Sequence, residues 1–299
     1  MSNWTHLLTE QRNRQSDCID EQSTLDMVRI INTEDASIAS AVSNVLKEIA
    51  TTIDLVVESL ESGGRLFYVG AGSSGRLGVL DAAECPPTYS TEPKMVQAII
   101  AGGPNAVFKS VEGAEDNADA GANAMVTHNV TNSDCVIGIA ASGITPFVHG
   151  ALTQARSFNS VTILVTCSPS SRVKTIADIM IAPLVGPEVI TGSTRMKAGT
   201  ATKMILNMIS TATMIHLGKT MGNLMVDLQP TNSKLLNRAI RILQIVLDVT
   251  SSQAEQALID AHNNVKVAII MYKCNVGLEQ ARILLTQNGG RIKSIIKNT

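Results

Sequence analysis

The chain of 299 residues has no run of about 18 or more uninterrupted apolar residues, which argues against a membrane-spanning helix. Its polar N-terminal stretch, Thr9 to Glu21, lacks the apolar block of a secretion signal, so a soluble, unexported protein is expected. Basic clustering is missing too. With 24 Lys+Arg against 26 Asp+Glu, the formal net charge is −2, and no dense basic run tracks a phosphate backbone, so nucleic acid is not expected as a partner. The five cysteines, Cys18, Cys85, Cys135, Cys167 and Cys274, are odd in number and form no CxxC pair, which fits a reducing, cytoplasmic setting. The five histidines, His6, His128, His149, His216 and His262, show no i, i+4 pair that would put two metal ligands on one helix face. Neither a metal site nor a cofactor is expected, and His216, inside an apolar helix, reads as a packed or solvent-edge residue.

What is there is a globular composition, 44% hydrophobic and 17% charged, in a chain long enough for one large α/β domain and a smaller appendage. Ile38, Val42, Val45, Ile49, Ile53, Val56 and Leu60 recur in steps of three and four, which predicts one amphipathic helix over 36–60. Gly63-Gly64 stops it, and Leu66 to Val69 then reads as a buried strand leading into the glycine-rich loop 70–75, GAGSSG. A helix from about Arg76 to Glu84 follows, which Pro86 and Pro87 are expected to end because neither donates a backbone hydrogen bond. Further strands are predicted at 96–100, 135–140, 161–166 and 179–184. A polar helix beginning near Glu112 is expected to carry Glu115 in its first turns, and another follows Pro146. The loop Gly192-Ser193-Thr194 opens a helix to about Leu217 that is apolar almost all round from Met204, hence buried in a core or at a dimer interface. Met204, Met208 and Met214 read as core filler there. Beyond about Leu235 only helices remain.

Strands alternating with helices predict a parallel sheet with helices on both faces and ligands at the carboxyl ends of the strands. The expected organisation is an N-terminal helical segment (1–54) packing on the core, an α/β domain (55–218) and a C-terminal helical bundle (235–299). Gly70, Gly72 and Gly75 satisfy GxGxxG, but the second strand ends Ile99-Ile100-Ala101-Gly102-Gly103, with no acidic residue for the ribose hydroxyls of a dinucleotide. Three loops instead set hydroxyls beside glycine before helices: Ser73 and Ser74 with Gly72, Ser142 and Thr145 with Gly143, then Ser193 and Thr194. A phosphomonoester suits such loops, because unsatisfied N–H groups and the positive helix end stabilise its charge. The alternative is that each hydroxyl caps its own helix.

The stretches GAGSSGRLGVLDAAECPPTY (70–89), AGGPNAVFKSVEGAED (101–116), ASGITP (141–146), TGSTRMKAGTATKMILNM (191–208) and NLMVD (223–227) carry a resemblance. Residues 55–218 resemble the sugar isomerase (SIS) domain, a phosphosugar-binding, flavodoxin-like α/β fold, and within that superfamily the chain is most similar to the N-acetylmuramic acid 6-phosphate etherases. The resemblance implies a UBA-like C-terminal domain, a homodimer, and a place in cell-wall amino sugar recycling or catabolism with no metal or nucleotide required. It also implies that the family's catalytic pair maps onto Glu84 and Glu115, with Arg76 meeting phosphate or the lactyl carboxylate or serving as a surface ion pair. One departure stands out: where the etherases usually carry arginine between the glycine and threonine of the second loop, this chain has Ile144. Arg76, Arg195 and Lys197 are the cations at hand to replace it. Ala140 likewise stands where the wider SIS pattern has a hydroxyl residue.

The chemistry so implied is opening of the hexose, removal of the C2 proton, departure of lactate from C3 and re-addition of water. Such a reaction needs an acid beside the ether oxygen and a base beside C2. Glu84, flanked by Ala82, Ala83, Cys85 and Pro86, is expected to sit in apolar surroundings that favour its protonated form, hence the acid. Glu115, beside Glu112 and Asp116 near a helix start, is the base. Without the resemblance both glutamates read as ordinary helix-end residues. An aldose-ketose isomerase and a non-catalytic phosphosugar sensor are the competing functions.

Overall fold

The computed structural model describes residues 7–168 and 176–297; His6, among the scattered histidines, lies outside them. The chain divides into two compact units, one made of the residues up to Ala82 together with Lys94–Ser210, the other of Ala83–Pro93 and the residues from Thr211 onward.

The first unit opens with helices α1 (Thr24–Asp35), α2 (Ile38–Ser43) and α3 (Leu46–Glu61). The single amphipathic helix expected over 36–60 is thus broken. Asn44 and Val45 donate to carbonyls three residues back, Ala41 and Val42, and Val45 leaves helical geometry at φ −121° and ψ 20°. The apolar face survives the break, since all seven of its periodic residues are buried. β1 (Leu66–Gly70), α4 (Gly72–Tyr89), β2 (Val96–Ile100), α5 (Asn105–Phe108), α6 (Ala118–Thr127), β3 (Cys135–Ile139), α7 (Pro146–Ser157), β4 (Val161–Val165), β5 (Ile179–Ile181) and α8 (Lys197–His216) complete the α/β pattern.

The five strands are all parallel, in the order β2-β1-β3-β4-β5. Leu66–Gly70 and Cys135–Ile139 are buried along their whole length, as continuous apolar runs covered on both faces require. Alternation then assigns the faces. Phe67, Val69, Val136 and Leu164 meet Val148, Ala151 and Leu152 of α7, whereas Tyr68 on the opposite face bonds Asp81 of α4.

Three expectations about helix limits are corrected. Ser73 and Ser74 lie inside the first turn of α4 rather than in a loop before it, and Pro86 and Pro87 lie inside that helix rather than beyond its end. Proline's fixed φ of about −65° is itself helical, so the chain turns once more, and the carbonyls of Ala82 and Ala83 lose their helical donors. Ser90, left-handed at φ 50°, marks the stop. The polar helix expected near Glu112 begins only at Ala118, where the Asn117 side chain accepts from the Ala120 amide at 2.8 Å.

In the second unit, α9 (Ser233–Leu247), α10 (Ser251–Asp260), α11 (Val265–Cys274), α12 (Leu278–Gln287) and α13 (Ile292–Lys297) enclose a core that includes Val226, Leu243, Leu258, Ile269 and Ala281. Lys266 is buried, 2.6 Å from the Asp227 carboxylate, which Lys219 also reaches at 3.2 Å. Burial pushes the Lys266 ammonium below its ordinary pKa, and Asp227 opposes that. Among the described residues no helix is long and apolar enough to cross a membrane.

Candidate functional site

The sheet order places a switch point between β1 and β3, because the chain moves outward from β1 to β2 and then returns to the other side of β1. A crevice outside the carboxyl ends of these two strands is where open parallel sheets hold ligands. Gly70 lies opposite Ile100 on β2 and Ile139 on β3, so the segments carrying Gly72 to Arg76, Glu115, and Ser142 to Thr145 all leave the sheet at one edge.

In the first of these segments, the amides of Gly72, Ser73 and Ser74 precede any helical acceptor, while Gly75 bonds back to Ala71 at 3.2 Å. The glycines serve close packing: a Cβ on Gly70 would lie 2.7 Å from the Gly75 nitrogen. Arg76, half-buried, donates through Nε to the Val107 carbonyl at 2.9 Å and so ties α4 to α5.

In the second, Gly143 is left-handed at φ 76°, and its amide bonds Ala140 at 2.8 Å. The Ile144 amide donates to Ser142 Oγ at 3.4 Å. Thr145 is the N-cap of α7, yet its side chain makes no cap bond, so capping does not account for that hydroxyl. Pro146 occupies the first helical turn, as expected from the sequence. His149 Nε2 stands 2.7 Å from the Gly143 carbonyl oxygen.

The third loop differs. α8 starts at Lys197, three residues beyond Thr194, and its end is already filled: buried Glu188 accepts from the amides of Lys197 and Ala198, each at 2.9 Å. Lys197 is buried and its Nζ lies 2.5 Å from Glu34 Oε2, so it is not available to replace the missing arginine. Burial alone would raise the Glu34 carboxyl, but hydrogen bonds from Lys197 and Asn13 outweigh it and hold the group below its ordinary value. Arg195 is exposed. Ser193 and Thr194 are half-buried in a segment pinned by the N-terminal residues, with Gly192 bonding Thr9 at 3.1 Å and Ser16 Oγ donating to Val189 at 2.7 Å. Cys167 links this region to the second loop: its amide bonds Ala141 at 3.0 Å, and its Sγ is 3.9 Å from the Ala198 carbonyl. Burial pushes the Cys167 thiol up to about 12, which leaves it protonated and unreactive.

Glu115 stands exposed in a 3-10 turn, Ala114–Asp116, that follows Gly113. Glu84 is also exposed, so the apolar surroundings expected of it are absent. The helical period explains why: Asp81, Ala82 and Cys85 form the buried side of α4, while Ala83, Glu84 and Pro87 point outward. Glu84 belongs to the second unit, whereas the other predicted site residues belong to the first.

Sequence reasoning missed Asp81, Glu188 and His149. Asp81 is buried and accepts from Tyr68 Oη at 2.9 Å, Asn207 Nδ2 at 2.8 Å and Ser210 Oγ at 3.0 Å. Burial raises its carboxyl above the ordinary range in spite of these donors. No local pattern announces any of the three, since each partner lies on another element, except Gly143, six residues before His149. Among the described residues no group of three or more histidine, cysteine or acidic side chains is placed to hold a metal ion.

Residues 48–156 match the model of the N-terminal SIS domain of glucokinase regulatory protein, and residues 222–276 match that protein's C-terminal lid domain. A relative from Bacillus licheniformis named N-acetylmuramic acid 6-phosphate etherase 1 is 51% identical over 97% of this chain and 95% of its own length. One from Clostridium beijerinckii, named N-acetylmuramic acid 6-phosphate etherase, is 49% identical over 99% and 97%. Among solved structures, phosphoheptose isomerase GmhA from Neisseria gonorrhoeae covers 64% of this chain and 98% of its own at a TM-score of 0.50 and 14% identity, a likeness of fold.

Proposed function

The chain belongs to the N-acetylmuramic acid 6-phosphate etherase family, and from that membership we infer that it cleaves the D-lactyl ether of N-acetylmuramic acid 6-phosphate, giving N-acetylglucosamine 6-phosphate and D-lactate. The observation that carries this reading is identity of about half the residues along nearly the whole chain. The enzyme is a carbon-oxygen lyase. In the proposed site, the first turn of α4, Gly72 to Arg76, and the loop Ser142 to Thr145 hold the phosphosugar at the β1/β3 switch point, where free first-turn amides and hydroxyls complement a phosphate. Ser193 and Thr194 contribute as hydroxyl donors rather than through a helix end, because Glu188 occupies that end.

The hexose opens to its aldehyde, which acidifies the C2 proton. Glu115 removes that proton to leave an enolate, whose electron pair then forms the C2–C3 double bond as the C3–O bond breaks. Glu84 gives its proton to the departing lactyl oxygen, since an alkoxide leaves poorly without one. Water then adds at C3, leaving its second proton on the Glu84 carboxylate, and the proton held by Glu115 returns to C2. Both carboxylates are exposed in the free protein, so the bound hexose itself supplies whatever exclusion of water the acid requires. The five cysteines are all free, which supports a reducing cytoplasm; the same reading has a homodimer, which the resemblance implies.

Incubating the protein with N-acetylmuramic acid 6-phosphate is expected to release D-lactate and N-acetylglucosamine 6-phosphate in equal amounts. Glu84→Gln is expected to lower lactate release by about 10²-fold or more while phosphosugar binding persists. A wild-type protein that binds the substrate and releases no lactate would overturn the function; a Glu84→Gln variant at full rate would overturn the acid assignment alone.

A further inference from the structure

We propose that His149 is a positioning residue that fixes the orientation of the Gly143–Ile144 peptide and thereby turns an amide donor toward the phosphosugar. The inference rests on the reading of the 142–145 loop as a substrate loop. A carbonyl oxygen only accepts, so the 2.7 Å contact between His149 Nε2 and Gly143 O requires the proton on Nε2. The bond reaches from the first turn of α7 back into the loop that precedes it, and the His149 amide holds the same turn by donating to Thr145 at 3.1 Å. A trans peptide sets its C=O and N–H on opposite sides of one plane. With the Gly143 carbonyl drawn toward the imidazole, the Ile144 N–H must point the other way, and there it meets Ser142 Oγ at 3.4 Å.

That contact is long for an N–H···O bond, so the amide remains open to a better acceptor. Its partner is a hydroxyl whose own proton is still free to be donated. The two together make a donor pair on one side of the loop, an arrangement that suits the oxygens of a phosphate. Gly143 at φ 76° makes this plane a soft one, because glycine occupies either sign of φ at little cost and the peptide that follows it is free to flip. Without the imidazole only the long Ile144–Ser142 contact opposes that flip, which would present a carbonyl oxygen to the anion in place of an N–H. The position is sensitive here because Ile144 brings no cation of its own to the loop. Backbone donors must then do more of the binding, and their orientation matters more.

The test compares His149→Leu, His149→Gln and His149→Asn in the full-length protein, using D-lactate release from N-acetylmuramic acid 6-phosphate and competitive inhibition by inorganic phosphate. Glutamine places an amide N–H near the position of imidazole Nε2, whereas asparagine is too short to reach it. Leucine and asparagine are expected to raise both KM and the phosphate inhibition constant by about tenfold with kcat nearly unchanged, as loss of one oriented donor predicts. Glutamine is expected to restore both toward wild type. Thermal melting of each variant reports folding, and the Gln/Asn pair decides the matter if leucine is poorly folded. Unchanged KM and inhibition constants in both His149→Leu and His149→Asn, or equal effects of Gln and Asn, would overturn the proposal. A wild-type enzyme with no lactate release would instead defeat the functional reading.

Discussion

Asp134 illustrates how a single buried carboxylate organises a corner of the sheet. Its Oδ1 accepts from the Arg65 amide at 2.8 Å and from Arg65 Nε at 3.1 Å, and its Oδ2 accepts from Arg65 Nη2 and the Thr131 amide, each at 2.8 Å. The Arg65 guanidinium also lies 4.8 Å above the Phe67 ring. Burial pushes the Asp134 carboxyl up, but the Arg65 and Thr131 donors outweigh it and hold the group below the usual carboxylate range. A folded-state pKa below the unfolded one means that the stability is fully present above the unfolded value and is lost as pH falls through the folded value. Asp134→Asn, which leaves Arg65 without its charge partner, is therefore expected to cost about 2 kcal/mol near neutrality, less than for a fully enclosed pair because Arg65 keeps some water contact. Urea unfolding checks this: the gap between variant and wild type is expected to shrink as the pH is lowered below about 4. A gap of equal size at both ends of that range would refute it. At the same scale, the exposure of Glu84 shows what a residue's neighbours in sequence do not reveal. Ala82 and Cys85 are its neighbours along the chain, but a helix turns them to the opposite side.

Among the elements, α6 and α7 make the closest helix pair. Their backbones meet through two glycines: a Cβ on Gly121 would fall 1.9 Å from the Phe147 carbonyl oxygen, and one on Gly150 would fall 1.9 Å from that of Ala118. Replacing glycine by alanine inside a helix ordinarily stabilises by about 0.5–1 kcal/mol. Here the added methyl group collides with backbone, which cannot rotate away, so Gly150→Ala is expected to destabilise by about 2 kcal/mol or more. The same shift would disturb the turn that carries Glu115, which packs on α7. Chemical denaturation reads the first effect, and a variant more stable than wild type would contradict the packing argument. Strands were the most legible elements. β2 lies at its expected limits and the others differ by one to three residues at one end; β1 and β3 stand out because a parallel strand buried on both faces shows as an uninterrupted apolar run. Helix limits were less so. A two-residue tightening at Asn44 and Val45 leaves the apolar period intact, so the break in 36–60 has no signature in hydrophobicity. Pro86-Pro87 was read as a stop because the lost donors count against continuation, yet one more turn follows.

For the molecule as a whole, the parallel sheet is legible because strands and helices alternate along the sequence. Three loops with similar composition nevertheless proved unequal. Gly72 to Arg76 and Ser142 to Thr145 flank the switch point, while the end of α8 is occupied by Glu188, and only the folded chain brings that carboxylate to Lys197 and Ala198. Long-range partners of this kind leave no mark on local sequence, and the same is true of Glu34 with Lys197. In the proposed reaction Glu115 moves the C2 proton and Glu84 delivers one to the leaving oxygen. The most direct measurement follows N-acetylmuramic acid 6-phosphate in deuterium oxide with each glutamine variant. Glu84→Gln is expected still to introduce deuterium at C2 but to release almost no D-lactate, and Glu115→Gln to do neither. Exchange retained by Glu115→Gln and lost by Glu84→Gln, or wild-type lactate release by either, would contradict these roles.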